Sequence, residues 1–202
     1  MKKTAILTLL IAATAVTSFG QGAVNFNNRV TGAGGVVAPI YGVNPLDPMT
    51  ARIGNATTNG GAVDRSGYPL LFGTGFSAAL LYGADAGNLS TYATVTFRTV
   101  TGFGGFITPP SPAPQTAPTT ATSFRVRAWD NGGNTASSYA DALAAGRGVG
   151  ESAVFTVSPL ASPATPPALV GLTSFNLTIV PEPGVIALGV LGLGALLLRR
   201  RK

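Results

Sequence analysis

A mainly β protein is the fold class this sequence predicts: a β-sandwich body, Ig-like or jelly-roll-like, with one short helix, set between two hydrophobic termini. Three observations carry that expectation. The chain of 202 residues holds 27 Gly and 15 Pro, and both residue types penalise helix interiors. About seven short segments alternate apolar with polar residues or are dense in β-formers. Gly, Pro and Asn separate those segments, the punctuation of an all-β domain.

The candidate strands are Gly22–Asn27, Val36–Tyr41, Phe76–Tyr82, Tyr92–Val100, Ser123–Trp129, Ala153–Val157 and Ser174–Ile179. In Tyr92–Val100 the alternation puts Tyr92, Thr94, Thr96 and Arg98 on one face and Ala93, Val95, Phe97 and Thr99 on the other. In Ser123–Trp129, Phe124, Val126 and Ala128 point inward, while Arg125, Arg127 and Trp129 point outward or to an edge. The Ala-rich stretch Asn134–Gly146 predicts the helix, with Asn134 or Thr135 as its cap and Gly146 as its stop. Two Pro-rich linkers, 108–122 and 158–167, cannot supply central strands. The domain boundaries that follow are 1–20, 21–179 and 180–202.

Charge is concentrated at the ends. The net charge is +6, yet residues 21–183 carry seven Arg, no Lys and seven acids. A near-neutral body without a basic cluster gives no nucleic-acid face. The chain has no His and no Cys, which removes a Ser-His-Asp or Cys-His device and the favoured zinc ligands. The expectation is no enzyme activity, no catalytic residues, no metal and no cofactor.

The N-terminus begins Met1-Lys2-Lys3, continues through the apolar run 4–16, and leaves through Ser18 and Gly20 at the −3 and −1 positions of a cut between Gly20 and Gln21. Basic start, apolar middle and small-residue exit are the parts of a secretory signal peptide. A retained anchor is the alternative, although the run is short for a spanning helix. The C-terminus reads Pro181-Glu182-Pro183-Gly184, then an uncharged apolar run 185–198, then Arg199, Arg200, Arg201 and Lys202. As a helix that run is about 21 Å long at 1.5 Å per residue, short for a hydrocarbon core of about 30 Å. The basic end stays cytoplasmic by the positive-inside rule, so both termini agree on one topology, with the body across the inner membrane.

Tripeptide, apolar helix, basic stop and chain end, in that order and behind a signal peptide, resemble the PEP-CTERM sorting signal of Gram-negative bacteria. Pro181, Glu182 and Pro183 match its motif, 185–198 its membrane helix, and Arg199 to Lys202 its basic end. The resemblance implies export by Sec-type machinery, transient residence in the inner membrane, and cutting by exosortase near the motif. It further implies a place at the cell surface or in an exopolysaccharide-rich biofilm matrix. Plain single-pass anchoring is the alternative for the tail. The body resembles, more loosely, extracellular domains that precede this tail in Verrucomicrobia-like bacteria. That likeness rests on the opening Gly22–Asn28, the strand Phe124–Asp130 and the Gly-rich loop Gly146–Ser152, and implies no activity.

Within the body one constellation suggests a ligand. An exposed Trp129 beside Arg127 and Asp130 would stack on a sugar ring and hydrogen-bond its hydroxyls. The competing reading has Trp129 covering one end of the core and Arg127 paired with an acid. A carbohydrate-binding module is therefore the second functional expectation. A hydrolase built on two facing carboxylates is the third.

Overall fold

The computed structural model describes residues 22–55, 63–111, 115–116, 122–158, 160–161 and 165–181. The described chain is mainly β, with one six-residue helix. The strands are β1 (Gly22–Ala23), β2 (Arg29–Val30), β3 (Val36–Val37), β4 (Phe76–Gly83), β5 (Ser90–Thr96), β6 (Gln115–Thr116), β7 (Thr122–Asp130), β8 (Gly148–Glu151), β9 (Phe155–Val157), β10 (Leu160–Ala161) and β11 (Thr178–Ile179). The helix α1 (Tyr139–Ala144) lies between β7 and β8.

A six-stranded antiparallel sheet dominates, in the order β11-β8-β7-β4-β5, with β9 also pairing β7. Its centre is the pair of longest strands, β4 and β7. In their register Ala78 faces Ala128, Leu80 faces Val126 and Tyr82 faces Phe124. Those side chains enter the main core with Val24, Phe26, Ile40, Phe97, Leu169 and Phe175. Aromatic packing ties the layer together: Phe124 stacks on Phe155 and meets Tyr82 at 6.4 Å.

The opposite face of the same sheet is also covered. Ala79, Leu81, Trp129 and Val149 form a second apolar cluster with Ala136 and Ala142, the latter from α1. A three-stranded sheet, β10-β1-β6, and the two-stranded β2-β3 complete the described pairing. The Pro-rich linkers thus contribute β6 and β10, but only as outer strands flanking β1. That placement fits the loss of ladder donors at Pro.

Three sequence expectations need correction. First, the helix is shorter than Asn134–Gly146, and its cap is Ser138. The Ser138 hydroxyl accepts the Asp141 N–H while the Asp141 carboxylate accepts the Ser138 N–H, a reciprocal capping box. Asn134 instead sits at a positive φ of 75°, within the loop that precedes the cap. Second, Gly148–Glu151 is a strand between β7 and β11, not part of a glycine loop. Third, Tyr92 does not share a face with Thr94. The β4–β5 register shifts between Leu80, opposite Ala93, and Leu81, opposite Thr91, so Tyr92 is an extra residue in a bulge. It packs on the core side, edge-on to Tyr82 at 4.9 Å.

The cap yields a direct test. Ser138→Ala removes one half of the reciprocal pair and should cost about 1 kcal/mol, read as a lowered urea midpoint. Hydrogen bonds from Ser137 and Ser138 also hold the Asp141 carboxyl below its ordinary value. Its contribution is present above the ordinary carboxylate range and is lost as pH falls through the lowered value. An unchanged midpoint would show that α1 is held by packing alone.

The signal segment 1–20 with Gln21, Glu182, Pro183, the apolar run 185–198 and the basic end 199–202 lie outside the described residues. Among the described residues no helix is long and apolar enough to cross a membrane.

Candidate functional site

Of the three residues expected to contact a glycan, one is out of reach. Trp129 is 2% exposed. It does point to the side of the sheet away from the main core, as alternation predicts. There α1 and the preceding turn cover it, and its Nε1–H donates to the Ala136 carbonyl at 3.2 Å. Non-local packing turned an outward position into a buried one. A ring so enclosed offers no face to a sugar, and this corrects the expectation of an exposed Trp129.

Arg127 is committed as well. Glu151 receives Arg125 Nη1 on one oxygen and Arg127 Nε on the other, both at 3.0 Å. The Arg127 guanidinium also lies 4.8 Å from the centroid of the Tyr139 ring. Burial pushes the Tyr139 phenol above its ordinary value, and the charge of Glu151 adds to the shift. The cluster spans β7, β8 and α1 and fastens the helix to the sheet.

Asp130 stands apart from these two. It ends β7 and lines a cleft of about 570 Å³. The cleft lies where the ends of β7 and β11 and the start of β8 meet the segment 69–72. Its walls are largely apolar: Leu70, Phe72 and Phe76 from the segments around β4, and Leu177 and Ile179 from the C-terminal strand region. Leu70 and Phe72 remain 46% and 45% exposed. The charged lining is one Asp and one Arg: Asp130 Oδ1 lies 3.9 Å from Arg147 Nη1.

Local sequence explains why these two groups sit there. The stretch Asp130-Asn131-Gly132-Gly133-Asn134 folds around the buried Asn131. Its amide nitrogen donates to the Thr74 carbonyl and the Ser77 hydroxyl, and its oxygen accepts the N–H groups of Gly133 and Asn134. Asp130 Oδ1 accepts the Gly132 N–H at 2.8 Å, leaving Oδ2 without a hydrogen bond among the described residues. Arg147 lies across Gly132. A Cβ at Gly132, where φ is +58°, would fall 2.2 Å from the guanidinium carbon. Only glycine lets the arginine rest there, and Arg147 Nη2 donates to Thr135 Oγ1 at 3.2 Å. The sequence reading passed over Arg147 and Phe72. The available signal was an Arg between two glycines, Gly146 and Gly148, shortly after a loop containing two more.

The remaining acids serve local structure. Asp47 accepts from the Thr50 hydroxyl, Asp64 from the Ser66 N–H, Asp85 from the N–H groups of Gly87 and Asn88, and Asp141 caps α1. Among the described residues no three acids gather as a metal site would require. Arg65, buried without a carboxylate, donates through Nη2 to the carbonyls of Arg52, Gly54 and Ser174 and lies over the Tyr41 ring. It clamps three carbonyls.

Set against protein-family models, curated proteins and solved structures, the chain finds no match in any of the three comparisons.

Proposed function

We propose that this chain is a non-enzymatic component of the cell envelope or extracellular matrix, exported by Sec-type machinery and sorted through its C-terminal tail. In this reading the tail holds the protein in the inner membrane until exosortase cuts near Pro181-Glu182-Pro183. The mature domain then resides at the cell surface or in an exopolysaccharide-rich matrix. The single observation that carries the reading is the ordered tail: tripeptide, short apolar run and basic end, behind a signal-type N-terminus.

The body supports it in two ways. The last described strand, β11, ends at Ile179 and Val180 is exposed, so the described fold closes its last strand pair two residues before the motif begins at Pro181. Two prolines there favour an extended backbone with few internal hydrogen bonds, suited to entry into a protease cleft. Among the described residues Asp130 is the one acid in the cleft lining, and the other described acids of the body serve turns, a cap and an ion cluster. No pair of carboxylates therefore faces across it, which supports a role without turnover. We read the body as a sandwich of the Ig-like or jelly-roll-like kind. The support is a main core lying between the six-stranded sheet and the segments around residues 24–40 and 169–177.

Mass spectrometry of the protein recovered from its native envelope and medium tests the reading. The mature species should begin at Gln21 and lack the apolar run and basic end. Replacing Pro181, Glu182 and Pro183 together by Ala should leave the tail attached and the protein in the membrane fraction. Identical processing of that variant, or an intact 202-residue chain in the cytosol, would overturn the proposal.

A further inference from the structure

We infer that the cleft beside Asp130 and Arg147 is a binding site for a neutral saccharide. The inference rests on the envelope and matrix reading above and gives that reading a ligand class.

The cleft has the dimensions and lining of a small-ligand site: about 570 Å³, mostly apolar, with a few fixed polar groups. Its charges decide among ligands. A carboxylate acceptor and a guanidinium donor stand 3.9 Å apart on one wall. An anionic ligand drawn to Arg147 would meet Asp130 at nearly the same distance, and a cationic one would meet the reverse conflict. A purely apolar ligand would cover both charges and return no hydrogen bond. A polyol avoids all three penalties, because each hydroxyl both donates and accepts. One hydroxyl can donate to the free Asp130 Oδ2 while its neighbour accepts from Arg147. The apolar CH face of the ring then has Phe72 and Leu70 to lie against, both already exposed.

The arginine is held in advance of any ligand. Gly132 leaves room for it, Thr135 receives one of its nitrogens, and Asn131 fixes the loop beneath from four directions. A positioned, half-exposed donor–acceptor pair loses little freedom on binding. A surface arginine with only a solubilising role needs no such seat.

The test uses protein recovered from cells expressing the full-length chain. It is applied to an array of immobilised neutral and acidic oligosaccharides, with titration calorimetry on the strongest neutral member. Saturable binding to a neutral oligosaccharide is expected, weakened at least 10-fold by Asp130→Asn and by Arg147→Met, and at least 5-fold by Phe72→Ala. Phe72 is a surface residue, so its variant keeps the test open where a loop variant misfolds. Trp fluorescence, which reports on the buried Trp129, verifies the fold of each. Absence of neutral-glycan binding at millimolar concentration, equal binding by the three folded variants, or preference for acidic glycans or for the apolar probe cis-parinaric acid would each overturn the assignment. None of those outcomes touches the mass of the processed tail, so failure here and failure of the sorting proposal read out separately.

Discussion

Asn28→Asp should destabilise the protein by several kcal/mol at neutral pH, although the two side chains have nearly the same shape. Asn28 is 1% exposed and joins three distant segments. Its amide nitrogen donates to the Ala38 and Gly105 carbonyls at 2.9 and 2.8 Å, and its oxygen accepts the Ile107 N–H at 3.0 Å. A carboxylate keeps the accepted bond and loses both donated ones. Each carbonyl left bare in the interior costs about 1–3 kcal/mol, and a charged oxygen now faces both.

The effect should depend on pH in a fixed direction. The fold favours the neutral form of the new carboxyl, so its folded-state pKa rises above the unfolded value of about 4. Stability is then greatest below that unfolded value. It falls as pH climbs to the raised folded value, beyond which the loss is complete. Asn28→Ala removes both donated bonds and the accepted one without introducing a charge, and should show no such slope. Urea midpoints measured across pH would decide. A flat profile for Asn28→Asp would mean that the site admits enough water to solvate the carboxylate.

Trp129→Ala is the second large effect, at about 3–5 kcal/mol. The indole fills the space between the sheet and α1, against Ala79, Leu81, Ala136, Ala142 and Val149. Truncation empties that space and leaves the Ala136 carbonyl without its donor. Trp129→Phe keeps much of the apolar volume and should cost roughly half as much. Hydrogen exchange over residues 139–144 should rise steeply in the Ala variant, since α1 loses its floor. A Trp129→Ala protein of unchanged stability that had lost saccharide binding would restore the tryptophan as a ligand contact and move the site away from the cleft.

The two long strands were legible because they satisfy a local rule. Phe124, Val126 and Ala128 alternate with polar partners, and β4 is a short apolar run bounded by glycines, so pattern alone suffices. What the pattern missed depends on distant chain. β8 reads as a loop because Gly148 and Gly150 occupy it. A Cβ at Gly150 would fall 2.3 Å from the Asn176 carbonyl oxygen, so close approach of the neighbouring chain demands glycine where a strand former belongs. The helix start was misplaced because Asn134 looks like a cap. The Asn131 side chain takes the Gly133 and Asn134 N–H groups into a loop instead. Trp129 faced outward on alternation, and nothing within β7 announces the helix that covers it. The cleft joins Leu70, Phe72, Asp130, Arg147 and Ile179, and no spacing rule brings five such positions together.

The kink that Tyr92 introduces into β5 bears on how such a domain behaves when crowded. Among the described residues β5 ends the sheet order and carries no charge and no proline. It meets the segment at Ile107 and Thr108 only near its last residue, where the Thr96 carbonyl accepts the Thr108 N–H. Such a composition invites a second molecule to dock along the rest of the strand. The extra residue breaks the two-residue rhythm midway, so a neighbouring copy laid alongside could match only a few amides before falling out of step. A bulge of this kind works against open-ended pairing of copies along that strand.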